Sequence, residues 1–283
     1  MIRLKAYAKL NLSLDITGKR GDGYHELDGI MQSISLFDTV EIEKADDIRV
    51  SMDIEGVDMR CNTAYKAALA FLELMGTGGA SIHIQKHIPS EAGLGGASAD
   101  AAAVLVGLNR LYGAGLSIED LSAMGVKVGA DVPFALTGGT VRAKGVGERL
   151  THIEPAKPLH YVIVKPHAGV STAEAFRRYQ KSEPLRISTV EYALAKGDIE
   201  LFLRYAGNAL GMAALSIAPE IMTAANALMA AGAPRALMSG SGSTMFAPFE
   251  SPEQAKEAAA CVKGNFAYVG AVSAVNTGIE EIV

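Results

Sequence analysis

Three features of the sequence could hold or move a charged group. Residues 89–103 read PSEAGLGGASADAAA, a glycine-rich turn running into an alanine-rich apolar stretch. Gly93, Gly95 and Gly96 permit backbone conformations closed to other residues, so consecutive N–H groups can turn toward one point. A helix beginning near Ser98 would aim its unsatisfied N–H groups and positive dipole end at the same point, which makes an anion site suited to phosphate. A plain strand-to-helix connection would use the same glycines for close packing. The stretch contains neither GxxxxGK(S/T) nor GxGxxG with a following acidic ribose ligand, so positive charge must come from elsewhere. Lys9, beside Asn11 in an otherwise apolar segment, is the leading donor, although most lysines are solvated surface groups. Asp131, in GADVPFAL, is a lone carboxylate between helix breakers and an apolar run, where a turn-forming role is the ordinary alternative. Together they supply a cation, a base and a phosphate cradle, the minimum set for phosphoryl transfer to an alcohol.

The rest of the chain must position these groups. At 283 residues, with 49% hydrophobic and 20% charged residues, it can build one large or two modest cores. A net charge of -5 argues against a nucleic-acid partner, which calls for a basic excess. No apolar run reaches the roughly 18 residues that span a membrane. The two cysteines, Cys61 and Cys261, lie far apart and outside any CxxC spacing, so a reducing, cytoplasmic setting is expected. His83 and His87 fall on one strand face without a carboxylate at ligand spacing, and no metal site is expected there.

Strand and helix periods alternate along the chain. Leu10, Leu12, Leu14 and Ile16 alternate with Asn11, Ser13, Asp15 and Thr17, which predicts a strand with one buried face. The hairpin-like turn GKRGDGYHEL and a second strand around DTVEIEKA follow. Helices are expected at 63–75, capped by Asn62 and stopped by Gly76, and at 98–112 and 118–128, the last opened by a Ser117–Asp120 capping box. ASIHIQKHI between them reads as a strand. The proline-containing segment 151–160 is the expected linker, dividing the chain into 1–155 and 156–283. Beyond it the pattern gives the strand HYVIVKP, three or four helices between 171 and 231, a strand–turn–strand in RALMSGSGSTMFAPF, a helix near 251–262 and a last strand in FAYVGAVSAV.

PSEAGLGGASADAAA resembles the central phosphate-binding motif of the GHMP kinases, AYAKLNLSLDI their first motif and MSGSGSTMFAPF their third, in the family's order over nearly the whole chain. AKLNL, GKRGDGYHEL and GADVPF are similar to the branch that acts on a cytidine-diphosphate alcohol in non-mevalonate isoprenoid biosynthesis. The resemblance implies an α+β fold of two domains, an ATP-binding one and a smaller C-terminal one, with the active site in the cleft between them. It implies ATP-dependent phosphorylation of the substrate's 2-hydroxyl with Mg2+, and no nucleic-acid or membrane partner. Asp131 then corresponds to the catalytic base and Lys9 to its partner. Tyr24, His25 and Phe176 correspond to the cytidine pocket, an aromatic pair sandwiching the base while His25 reads its polar edge. Asn11 and Thr172 orient the rest of the substrate. On the nucleotide side, Asn62 and Lys86 lie near the adenine end, and Gly93, Leu94, Gly95, Gly96, Ala97, Ser98, Ala99 and Asp100 wrap the phosphates. Ser239, Gly240, Ser241 and Gly242 support the loop and close the cleft.

Two departures bear on the site. Many family members carry Gly where this chain has Ala97 and a hydroxyl residue where it has Ala99, which leaves Ser98 as the side-chain hydroxyl of the loop and the metal ligands unassigned. A GHMP kinase acting on mevalonate, homoserine or a sugar would share the loop without needing the pyrimidine pocket. A non-catalytic nucleotide sensor on the same fold would bind ATP without turnover.

Overall fold

A computed structural model describes residues 1–53, 62–76 and 78–282; Cys61 lies outside them. The chain opens with β1 (Ile2–Lys19) and β2 (His25–Ala45), one long antiparallel hairpin joined by the RGDGY turn. There follow β3 (Arg49–Met52), α1 (Thr63–Met75), β4 (Gly79–Gln85), α2 (Gly96–Tyr112), α3 (Ile118–Val128), α4 (Val132–Thr137), β5 (Thr140–Gly145) and β6 (Arg149–His152). Next come β7 (His160–Lys165), α5 (Thr172–Arg178), α6 (Ile187–Lys196), α7 (Ile199–Tyr205), α8 (Gly211–Ile217) and α9 (Glu220–Ala230). The chain ends with β8 (Leu237–Met238), β9 (Met245–Phe249), α10 (Pro252–Cys261), β10 (Tyr268–Ser273) and β11 (Ile279–Glu281).

These elements make two sheets. The first runs β11-β1-β2-β4-β3, with β5 attached to β2 and β6 to β5; the second runs β10-β7-β9-β8 and is antiparallel throughout. Strand β2 is the trunk of the first sheet, pairing β5 through Leu27–Gln32 and β4 through Thr39–Ala45. Helix α2 lies on β1 and β2 through the buried Ala101, Val104, Leu105 and Leu108, its small residues letting the backbone come close to the sheet. This fixes where the helix begins, and with it the glycine-rich turn. Asn62 Oδ1 accepts the Ala64 N–H at 2.8 Å to start α1, and the Ser117–Asp120 capping box starts α3.

The alternation in β1 predicts one buried face, whereas the structure buries both: Asn11, Ser13 and Asp15 are as enclosed as Leu10, Leu12 and Leu14. Register shifts at Asn11/Ser13 and Ile16/Gly18 each insert one extra residue in β1, and the shift at Tyr7/Lys9 inserts two in β2. Segment 207–209 then covers its polar side. Ser13 Oγ donates to Gly207 O at 3.1 Å, and Leu14 N–H donates to the same carbonyl at 2.9 Å. Other differences are of length and number. Helix α2 starts at Gly96 and not near 98, and five helices, α5 to α9, occupy the region where three or four are expected. The short α4, the β5–β6 hairpin and β11, which returns to the first sheet beside β1, carry no periodic signal long enough to read. Among the described residues no single helix is long and apolar enough to cross a membrane.

Candidate active site

One cavity of about 1520 Å³ runs between the two sheets' elements, lined at one end by residues 86–98 and at the other by Tyr24, His25 and Phe176. A pocket for one small ligand spans roughly 300–1,000 Å³, so this volume suits two bound side by side.

At the phosphate end the loop is shaped by contacts only glycine allows. Gly93 has φ +72, and a Cβ there would stand 2.1 Å from the Ser239 carbonyl oxygen. Gly95 has φ +73 and caps α2; a Cβ on it would meet Lys9 Cγ at 2.8 Å. The Lys9 stem therefore crosses directly over the loop, and its N–H donates to Leu94 O at 2.9 Å. The Gly96 and Ala97 amides open α2 in the first turn, where no helical carbonyl precedes them. Thr63 Oγ donates to Ala97 O at 2.7 Å, tying the start of α1 to this turn.

Lys9 Nζ lies 3.4 Å from Asp131 Oδ2 and also donates to Asn11 Oδ1. Lys9 and Asn11, two residues apart on β1 and so on one face, both line the cavity. Asp131 is the N-cap of α4, yet its carboxylate makes no capping bond and is left to the cavity and Lys9. The third motif supports this arrangement from behind. Asn11 N–H donates to Ser239 Oγ at 3.1 Å, Ser239 Oγ donates to Gly93 O at 2.8 Å, and Asn208 Nδ2 holds the carbonyls of Met238 and Gly240 at 2.9 and 2.8 Å. Thr172 and Ser241 share a hydroxyl hydrogen bond of 2.9 Å across the cavity wall.

At the far end His25 stacks on Phe176, ring centroids 5.0 Å apart and 22° from parallel, with Tyr179 edge-on to His25 at 6.0 Å. Burial, and then the Lys19 charge, push the His25 imidazole below the ordinary histidine range, which favours the neutral ring. Tyr24 is 63% exposed on the rim.

The structure thus brings to one cavity Lys9, Asn11, Tyr24, His25, Asn62, Lys86, Gly93, Leu94, Gly95, Gly96, Ala97, Ser98, Asp100, Asp131, Thr172, Phe176, Gly240 and Ser241. Ala99, Ser239 and Gly242 stand behind its wall. The stack it forms is His25 on Phe176, with Tyr24 outside it. Lys86 Nζ does not reach freely into the cavity, because Asp38 and Asp100 hold it. Sequence reasoning missed Asp38, Tyr179 and Asn208. Asp38 left no distinguishing signal, being one of several charged and polar residues of β2.

Among the described residues no group of three or more His, Cys, Asp or Glu side chains could cage a metal. The donors at the loop fit an ion that arrives on phosphate oxygens and keeps its waters, as magnesium does beside nucleotides.

Comparison with known proteins agrees with this geometry. The model described as GHMP kinases N terminal domain matches residues 62–139, and that described as GHMP kinases C terminal matches residues 190–267. The chain is 46% identical over 261 residues to the 4-diphosphocytidyl-2-C-methyl-D-erythritol kinase of Carboxydothermus hydrogenoformans, covering 89% of this chain and 90% of that one. It is 42% identical to the enzyme of the same name from Pelotomaculum thermopropionicum, over 92% of this chain and 93% of the relative. A crystal structure of 4-(cytidine 5'-diphospho)-2C-methyl-D-erythritol kinase superposes with a TM-score of 0.81 at 35% identity, over 96% of this chain and 98% of that one. With motifs, fold and full-length identity in agreement, the chain belongs to the 4-diphosphocytidyl-2-C-methyl-D-erythritol kinase family of the GHMP kinases.

Proposed function

We propose that this kinase transfers the γ-phosphoryl group of ATP to the 2-hydroxyl of 4-diphosphocytidyl-2-C-methyl-D-erythritol, a step of non-mevalonate isoprenoid biosynthesis. The observation that carries the reading is the Lys9–Asp131 pair, 3.4 Å apart and lining one cavity with the glycine-rich loop and the stacked His25 and Phe176. Amides of residues 93–98 hold the triphosphate, which would also carry magnesium to the site. When bound, that ion neutralises charge across the β- and γ-phosphates. His25 and Phe176 place the cytosine, the neutral imidazole offering one donor and one acceptor to its edge. Thr172 and Asn11 orient the chain between base and hydroxyl. Asp131 takes the proton of the attacking hydroxyl as the new O–P bond forms and the bond from the γ-phosphorus to the bridging oxygen breaks. ADP leaves with the bridging electron pair. Lys9 faces the oxygen on which negative charge grows. General-base help of this kind is worth about 10²–10⁴-fold in rate.

The test is ADP release, with ATP and magnesium, on the cytidylylated alcohol beside mevalonate, homoserine and galactose. Turnover confined to the first is the expected result. Turnover on another alcohol would discard the pyrimidine slot, and silence on all four would discard the kinase reading of Lys9 and Asp131.

A further inference from the structure

A second charged group, apart from the catalytic pair, closes the neck of the glycine-rich loop. Lys86 follows β4 and enters the loop; Asp100 lies in α2 and leaves it; Asp38 stands on β2. Lys86 Nζ donates to Asp100 Oδ2 at 2.7 Å and to Asp38 Oδ2. The other oxygen of Asp38 accepts the N–H groups of His87 and Ile88 at 2.6 and 2.8 Å. All three side chains are almost fully enclosed, and a Cβ on Gly96 would stand 3.4 Å from Lys86 Nζ. The segment from 87 to 99 is thus tied at both ends to one point on the trunk strand.

Stability alone is a poor reason for this arrangement. When Asp100 is ionised, two carboxylates and one ammonium leave a net negative charge buried beside a loop suited to an anion, and Asp100 Oδ1 has no hydrogen-bond partner. Burial raises the Asp100 carboxyl, Lys86 pulls it back and Asp38 pushes it up again; for Lys86, burial lowers the ammonium and the two carboxylates outweigh it. What the group does supply is geometry: it joins the loop's entry and exit at one point on β2, whereas the Lys86 N–H bond to Asp53 Oδ1 and the Thr63 bond to Ala97 O hold each end separately.

We propose that Asp38, Lys86 and Asp100 are positioning residues for the nucleotide, fixing the separation of the loop's ends so that the amides of residues 93–98 converge on one triphosphate. The inference rests on the reading that this loop holds the phosphates of ATP. It separates Lys86 from a simple ligand contact, because Asp100, which would then matter little, becomes as important as the lysine.

The experiment compares wild type with Asp100→Ala and Asp100→Asn in the full chain, reading KM for each substrate, kcat, and ADP affinity by calorimetry. Asparagine keeps an oxygen for Lys86 Nζ, whereas alanine leaves Lys86 with Asp38 alone. The expected result is a ten- to hundredfold rise in KM for ATP and in the Kd of ADP for Asp100→Ala. Its kcat and its KM for the alcohol should change less than threefold, and Asp100→Asn should stay within threefold of wild type throughout. Equal losses in kcat and in both KM values would mark a merely structural role and overturn the proposal, as would unchanged ADP affinity in Asp100→Ala. Should the alanine variant fail to fold, Lys86→Met/Asp100→Leu, which leaves one buried carboxylate with its two backbone donors, must show the same nucleotide-specific loss; normal ADP affinity in it overturns the proposal. Failure of wild type to bind ADP would instead remove the phosphate reading on which the inference stands.

Discussion

Replacing Lys9 with methionine removes one charge while keeping most of the stem that crosses the loop. Two unit charges at the observed 3.4 Å attract by about 5 kcal/mol at an effective dielectric near 20. Taken whole, that would be between three and four decades in rate at about 1.4 kcal/mol per decade. The whole cannot appear in kcat, however. Lys9 faces negative charge both before and after the proton moves, on the Asp131 carboxylate first and on the substrate oxygen and phosphoryl group afterwards. Only the difference between the two states accelerates the reaction. A loss of about 10²–10³-fold in kcat is therefore expected for Lys9→Met, with KM for ATP within about threefold, because the loop amides are untouched. Asp131→Asn should lose about 10²–10⁴-fold. Since the two residues serve one proton transfer, the double variant should be little slower than the worse single one. The assay is steady-state ADP release at saturating substrates, with near-ultraviolet circular dichroism as the check on folding. A Lys9→Met kcat within fivefold of wild type, or a double variant whose loss multiplies the two single losses, would refute the shared role.

Three more outcomes follow from the same coordinates. Gly95→Ala forces a Cβ to 2.8 Å from Lys9 Cγ at a φ of +73, which should cost about 1–2 kcal/mol of stability and displace the ammonium; urea titration reads the first and kcat the second, and unchanged kcat would free Lys9 from the loop. On the proposed reading Phe176→Ala removes a stacking face for the base, worth about 1–3 kcal/mol, so KM for the cytidylylated alcohol should rise about 10–100-fold while KM for ATP stays put; equal changes in both would place Phe176 in the scaffold. Asp100 links stability to pH. Its carboxyl is pushed from 3.8 to about 7 in the folded chain, so between those values the folded state holds the proton more tightly than the unfolded one. The stability it allows is full below pH 4 and is lost as pH rises through 7. Asp100→Asn should thus gain stability relative to wild type between pH 5 and pH 8 in urea unfolding, and a constant difference across that range would contradict the shift.

The local elements were legible where one physical signal dominated. Asn62, Gly76, Ser117 and Asp120 fix helix ends by hydrogen bonds within a few residues, so their sequence reading meets the observed bounds of α1 and α3. The candidate site was legible as three separated motifs, most of whose residues the structure brings to one cavity. What stayed hidden depends on distant partners. Nothing near Asp38 announces Lys86 and Asp100, and nothing near β1 announces β11, which pairs with Leu4–Ala6 after the whole second half has intervened. Tyr179 reads as an ordinary aromatic until the fold sets it against His25.

The buried polar face of β1 shows why reading and structure part company at the candidate site. A regular strand would point Lys9 and Asn11 to a solvated face, and a lysine there would be an unremarked surface group. Here that face is enclosed because three partners from distant sequence close on it. The phosphate loop accepts the Lys9 N–H through Leu94 O, Ser239 accepts the Asn11 N–H, and Gly207 accepts Ser13 Oγ. One strand thereby sets the position of the cation, the loop and the third motif together. A buried lysine needs such compensation, since its desolvation is met only by groups fixed around it. Asn11 Oδ1 and Asp131 provide them, and the same two groups face the place where the hydroxyl must arrive. The interactions that make the buried cation tolerable are therefore those that aim it into the cavity.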